Sequence, residues 1–172
     1  MKAARYPLET RLALVDEAKS IASVLEQAFI EYKQLYTPEA FAITTPNWQQ
    51  IQDRWAEGPV WVALMNDIII GTIAAVPQDR GLYLRSMAVL PDARGYGLGK
   101  LLLQHVEDYA STRRFKRMFL STTPFLLHAI RLYEQAGFQK TGEGPHNLSG
   151  TPLFTMEKFL KPDVFTHFYI PT

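Results

Sequence analysis

Apolar side chains recur along this chain in two different rhythms, and the two rhythms predict different elements. Ile21, Val24, Leu25, Ala28, Tyr32 and Leu35 fall on one stripe at 3.6-residue spacing, predicting a helix whose start suits the acidic pair Asp16 and Glu17. Leu98, Leu101, Leu102, Val106 and Tyr109 repeat that pattern, predicting a second helix from Leu98 to about Thr112. Between them, Val60 to Met65, Ile68 to Val76 and Leu82 to Leu90 are short apolar runs, separated by Asn66-Asp67 and by Asp79-Arg80-Gly81. Such runs with turn residues between them predict three consecutive antiparallel strands.

The remaining segments complete the pattern. A short strand is expected around Arg11 to Leu14, and Thr37-Pro38 and Thr45-Pro46 each offer an N-cap followed by a first-position proline. The second pair would open a helix bearing Trp48, Ile51 and Trp55, which Gly58-Pro59 ends. Arg117 to Thr122 reads as a strand parallel to its predecessor, because a helix crosses over between them. Thr123-Pro124 then predicts a further helix with Leu126, Ile130 and Tyr133 on one face and Gly137 as its left-handed stop. Gln139 to Gly142 and Thr151 to Phe159 make the last strands, joined by a loop that holds His146. Seven strands in a mixed, mostly antiparallel sheet with helices on both faces give an α/β (α+β) architecture.

Composition adds limits rather than direction. At 172 residues the chain suits a single domain spanning residues 1–172. Its 18 basic and 17 acidic side chains leave a net charge of +1, so no electrostatic case exists for nucleic acid or membrane as the main partner. Cysteine is absent, which removes disulfides, thiolate metal sites and a protein thiol acyl carrier. With dispersed histidines and no His-Glu-x-x-His, no metal site is expected. No stretch approaches a membrane span and Met1 to Thr10 has no continuous apolar core, so a cytoplasmic protein is the default expectation. The tail, residues 160–172 with Phe165, Phe168, Tyr169 and Ile170, is apolar enough to pack on the domain or on a second subunit, which would make a homodimer.

The chemistry concentrates in Arg94-Gly95-Tyr96-Gly97-Leu98-Gly99-Lys100, alternate glycines between a strand and a helix start. Glycines permit positive φ and close backbone approach, while the first N–H groups of a helix are unpaired at its positive end. Such a loop suits a phosphate, or is only a turn. Two common phosphate motifs fail here. A dinucleotide fingerprint needs a small residue where Lys100 stands, and a P-loop needs glycine at Arg94 and Ser or Thr at Leu101.

What remains, Arg94-x-x-Gly97-x-Gly99 after Met87-Ala88-Val89-Leu90-Pro91-Asp92, resembles the GNAT superfamily of acetyl-CoA-dependent N-acetyltransferases. A second match in the right order is Ala129-Ile130-Arg131-Leu132-Tyr133-Glu134-Gln135-Ala136-Gly137-Phe138. The resemblance implies a GNAT-like sheet whose last strand before the loop is bulged and splayed, freeing the backbone of Met87, Ala88 and Val89 for the pantetheine arm. It also implies that Arg94, Gly95, Tyr96, Gly97, Leu98, Gly99 and Lys100 hold the pyrophosphate of acetyl-CoA as co-substrate. The implied reaction is attack of a neutral amine, from a small molecule or a peptide, on the thioester.

A free N–H near Ala88 or Val89 would then meet the oxyanion, and Tyr133 matches the general acid that protonates the leaving thiolate. Arg85 and Met87 stand where some relatives carry an acidic side chain, leaving Glu31, Glu57 or a water chain as candidates for the base. Leu126 replaces a common asparagine. The aromatic connection from Tyr32 to Phe41 borders the acceptor region in the family, or is packing. His146 is an acceptor-pocket or a loop residue, and His105 is expected to be a hydrogen-bonded, partly buried histidine. Arg113, Arg114, Lys116 and Arg117 are expected to form a solvated face, the alternative being that one of them meets the 3′-phosphate of the coenzyme. A GNAT-like module that binds acyl-CoA without turnover is the second reading.

Overall fold

A computed structural model describes residues 7–162 of the chain. Eight strands form one sheet in the order β1-β2-β3-β4-β5-β8-β6, with β7 paired to β8. They are β1 (Leu8–Leu12), β2 (Val60–Met65), β3 (Ile68–Gln78), β4 (Gly81–Val89), β5 (Arg117–Thr122), β6 (Gln139–Lys140), β7 (His146–Leu148) and β8 (Thr151–Phe159). Every pairing is antiparallel except β4 with β5. The helices are α1 (Ala18–Phe29), α2 (Pro38–Thr44), α3 (Trp48–Asp53), α4 (Leu98–Thr112) and α5 (Leu127–Gln135).

Alternation along β2 shows how the sheet separates two cores. Trp61 and Ala63 pack with Leu98, Leu102, Leu103, Val106 and Ala110 of α4 and with Tyr133 of α5. Val62 and Leu64 turn the other way, onto Ile21, Val24, Leu25 and Ala28 of α1 and Ile51 of α3. The expected layers are therefore present, with one more strand than expected because His146–Leu148 folds back on β8.

Several local expectations need correction. The α1 stripe ends at Phe29, where a 3-10 helix over Ile30–Leu35 changes the residue spacing. Leu35 is consequently exposed and Tyr36 buried in its place. On α4, Leu101 is exposed while Leu103 and Ala110 join the buried face. Thr37 caps α2 as expected, by accepting from Ala40 N–H, but α3 is capped by Asn47 in a reciprocal box with Gln50 rather than by Thr45. Thr123 to Leu126 form a turn, with Leu126 N–H on the Thr123 carbonyl, so α5 starts at Leu127. Gly137, at φ 95°, does stop that helix. Arg117 is no part of a solvated face: its guanidinium is clasped by Glu157 at 2.5 Å and Glu143 at 3.2 Å.

Two irregularities of β4 matter most. Thr72 faces Ala88 and Ala74 faces Arg85, so Ile73 alone opposes Ser86 and Met87, a β-bulge with Ser86 at φ 52°. Then β4 pairs with β5 only from Leu82 to Leu84, opposite Met118 to Leu120. Beyond that point the two strands part, and the second half of β4 has a free edge.

Among the described residues no helix is long and apolar enough to cross a membrane. The apolar tail residues Phe165, Phe168, Tyr169 and Ile170 lie outside the described residues.

Candidate active site

The parting of β4 from β5 opens a groove of about 1040 Å³ that runs from the glycine loop to the aromatic segment before α2. Its floor is the free edge of β4. Leu90 N–H bonds to the Ile70 carbonyl of β3, so Leu90 and, two residues earlier, Ala88 turn their backbone groups toward β3. Alternation then turns Met87 and Val89 toward the groove. Of the two oxyanion candidates expected from sequence, Ala88 faces the wrong way and Val89 the right way. The Val89 carbonyl is already used, by Arg94 Nε at 3.3 Å.

At the loop end the backbone makes the site. Gly95 and Gly97 have φ of 86° and 80°, and a Cβ added at either would meet nothing within 4 Å. Their lack of a side chain is therefore needed for conformation and for whatever approaches from outside, not for internal packing. No side chain caps α4, and its first backbone bond is Leu101 N–H to the Gly97 carbonyl. The N–H groups of Leu98, Gly99 and Lys100 are left to face an anion beside the Lys100 ammonium.

Gly99 differs from its two neighbours. A Cβ there would lie 2.7 Å from Leu132 Cδ2 and 3.3 Å from Met87 Cε, so this glycine lets α4 pack closely on α5.

Nearly all of the residues expected at the site line the groove: Met87, Ala88, Val89, Arg94, Gly95, Gly97, Leu98, Gly99, Lys100 and Tyr133. Tyr96 does not, and the residue is 63% exposed. Arg94 is less free than its motif suggests. It donates to the Ala28 carbonyl at 3.1 Å and pairs with Glu31 at 2.5 Å, tying the loop to α1. Glu31 is thereby an anchor for Arg94, and Glu57, the other candidate base, pairs with Arg85 at 2.6 Å. Neither glutamate lines the groove; among its described lining residues there is no carboxylate.

Tyr133 reaches the groove from α5. It is 8% exposed, packs on Phe138, and its phenol is pushed well above the usual range by burial, with Tyr83 and Tyr36 acting in the same direction. Those two phenols also line the groove and are also raised, chiefly by burial. Thr123 Oγ1 is buried without a hydrogen bond of good geometry, and the Tyr36 phenol is its nearest polar neighbour on the groove wall. A buried orphan hydroxyl beside a groove is a group built to receive a ligand or a water. Together with the open glycines and the bare edge of β4, it fits an extended guest whose phosphates end at α4.

The far end of the groove is side-chain work. Tyr36 meets Phe125 edge to face at 4.9 Å, while Tyr32 stacks on Phe125 at 6.3 Å. Arg54, at the end of α3, and Arg85, on β4, line the groove here. Sequence reading noted Arg85 only as a departure and missed Arg54 and Tyr83 as site residues. Nothing local marks them; only the fold brings α3, β4 and the 3-10 segment together.

Of the histidines, His128 lines the groove, while the two singled out from sequence fall elsewhere. His105 bonds to Thr10, as expected, and His146 bonds to Thr155 Oγ1 at 3.1 Å on β7, outside the groove lining.

Comparison with known proteins identifies the family and the fold. Residues 25–138 match the acetyltransferase (GNAT) family model. The uncharacterized N-acetyltransferase YjgM of Escherichia coli is 32% identical over 143 residues, covering 80% of this chain and 84% of YjgM. The N-acetylaspartate synthetase of Danio rerio is 30% identical over 111 residues, 63% of this chain but only 39% of that protein. Among solved structures, the PaiA N-acetyltransferase of Thermoplasma acidophilum in complex with coenzyme A has the same fold, with a TM-score of 0.74 at 16% identity over 90% of this chain and 99% of PaiA.

Proposed function

This chain belongs to the acetyltransferase (GNAT) family, whose fold is an acyltransferase fold, and from that premise we propose that it moves the acetyl group of acetyl-CoA onto a primary amine by direct attack. The observation that carries the proposal is that one groove holds, in line, an open glycine cradle, a bare strand edge and a buried tyrosine.

The cradle takes the pyrophosphate. Leu98, Gly99 and Lys100 N–H groups and the Lys100 ammonium compensate its charge, while Gly95 and Gly97 leave it room. From there the pantetheine arm lies along β4, pairing with Val89 as an added strand would. Met87 is two residues further from the cradle, so its outward N–H stands where the thioester oxygen arrives and gains charge as the amine adds. A preorganised donor at that point stabilises the transition state more than the ground state.

The leaving sulfur needs a proton, and Tyr133 holds one. In water, transfer from a phenol near pKa 10 to a thiol near 8.5 is uphill by about 2 kcal/mol. Burial raises Tyr133 and widens that gap, so its transfer accompanies carbon–sulfur cleavage rather than preceding it. The groove lining offers no carboxylate but does hold His128, so the amine loses its proton to that imidazole or to water, or arrives neutral, which for a lysine-like amine costs about 4 to 5 kcal/mol at pH 7.

A thiol-release assay against a panel of amines, with mass spectrometry of the products, tests this. One acetyl added per thiol freed is the expected result. Coenzyme A binding with no thiol released by any amine would make the chain a binding module instead.

A further inference from the structure

Arg54 and Arg85 give the acceptor end of the groove a charge that the reaction itself does not require. Both line the groove, and together with Ser86 both also line a small recess beside it, walled by Ile21, Leu25 and Ile51. Both guanidiniums are half-buried, which strengthens their pairing with any anion that enters beside these apolar walls. Arg85 has half of its answer, since one of its nitrogens pairs with Glu57 at 2.6 Å and the others are left over. Arg54 has no ion pair among the described residues. Two guanidiniums against one carboxylate leave one positive charge uncompensated, and no carboxylate lines the groove to meet it.

The cofactor does not supply that anion. Its phosphates are matched at the opposite end of the groove, by the helix terminus and Lys100. Arg85 lies two residues beyond Met87 along β4, about 7 Å at strand spacing, on the side away from the glycine loop. A group bound there belongs to the acceptor and sits within a few ångströms of its attacking nitrogen.

Resting on the transferase reading above, we infer that the acceptor is an amine carrying its own carboxylate, a free amino acid or a close analogue, and that Arg54 and Arg85 are its carboxylate-recognising, specificity-determining residues. A single carboxylate matches the single excess charge, and the planar fork of an arginine matches a carboxylate in geometry as well. The side chain of the acceptor then lies toward Tyr32 and Tyr36, which line the groove and are backed by Phe125.

The test uses matched pairs. A panel of free L-amino acids, aromatic, aliphatic and acidic, is compared with the amines formed by removing the α-carboxylate from each, such as phenylalanine with phenethylamine, at saturating acetyl-CoA. In parallel, binding of N-acetyl-phenylalanine and of N-acetyl-phenethylamine to the coenzyme A complex is measured by calorimetry, which needs no turnover. The expected result is a preference of about 10- to 100-fold in kcat/KM for the carboxylated members of the favoured pair. R54Q and R85Q shrink that ratio by raising KM for the carboxylated acceptor, R54K and R85K restore part of it, and coenzyme A affinity stays as it was. Equal use of both members by the native protein, a preference for the decarboxylated amine, or a ratio untouched by both arginine variants overturns the inference. Arginine-dependent binding of N-acetyl-phenylalanine without any thiol release would instead uphold the carboxylate site and defeat the transferase reading.

Discussion

The two ends of the groove are made in opposite ways. At the loop end the ligand-facing groups are backbone: N–H donors at an uncapped helix start and glycines whose missing side chains leave open space. At the other end they are side chains from the 3-10 segment, α3, β4 and the turn before α5, assembled only by the fold. A backbone site constrains residue type at fixed spacing, because only glycine adopts φ near 80° cheaply. A side-chain site constrains only what meets in space. The first can serve one invariant guest, and the second can change its guest by changing a few residues.

Variants of the loop glycines should divide along this line. Gly97→Glu places a carboxylate where the phosphates go and forces a side chain into the left-handed region, so coenzyme A affinity is expected to fall by about a thousandfold or more, read by calorimetry. Retained affinity would make the loop a plain turn. Next in size, Tyr133→Phe should lower kcat by about a hundredfold with little change in the KM for acetyl-CoA. Because burial raises the Tyr133 phenol, its proton is in place at every pH below about 10. The kcat profile should therefore show no basic limb in that range, and a limb below pH 9 that vanishes in the phenylalanine variant would contradict the assignment.

Arg94→Ala tests the joint between the two ends. Removing a guanidinium that ties Val89, Ala28 and Glu31 together should cost about 1 to 3 kcal/mol in a denaturation experiment and weaken coenzyme A binding about tenfold. Gly99→Ala should do least at the site. Its Cβ meets Leu132 rather than the open groove, so about 1 to 2 kcal/mol of stability is lost while coenzyme A affinity holds. Gly97→Ala should cost about 1 kcal/mol of stability through its left-handed φ and, unlike Gly99→Ala, should also weaken coenzyme A binding; equal coenzyme A affinity in the two variants would contradict the division.

The same division explains what the sequence made legible. Strands β2 to β4 and helix α4 were readable because their apolar periods and turns are local, and the glycine loop because it is a backbone requirement written at fixed spacing. Even the bulge followed from the resemblance. The errors cluster where a neighbour in space overrides a local rule. Tyr36 displaced Leu35 from the core when the 3-10 segment shifted the register, and Thr123, an apparent cap, is an orphan hydroxyl on the groove wall. Gly99 looked like its neighbours in the motif, yet its constraint comes from Leu132 of another helix. Arg54 carried no signal at all, and Arg85 was read as a missing acid when it is a cation on the groove wall.

The central claim is that the loop end binds the pyrophosphate of coenzyme A, and titration calorimetry of coenzyme A against the native protein and Gly97→Glu tests it most directly. The account expects saturable one-to-one binding to the native protein, weakened as salt screens the phosphates, and no measurable binding to the variant. Native-like affinity in a folded Gly97→Glu protein, or no binding to the native protein, would contradict it.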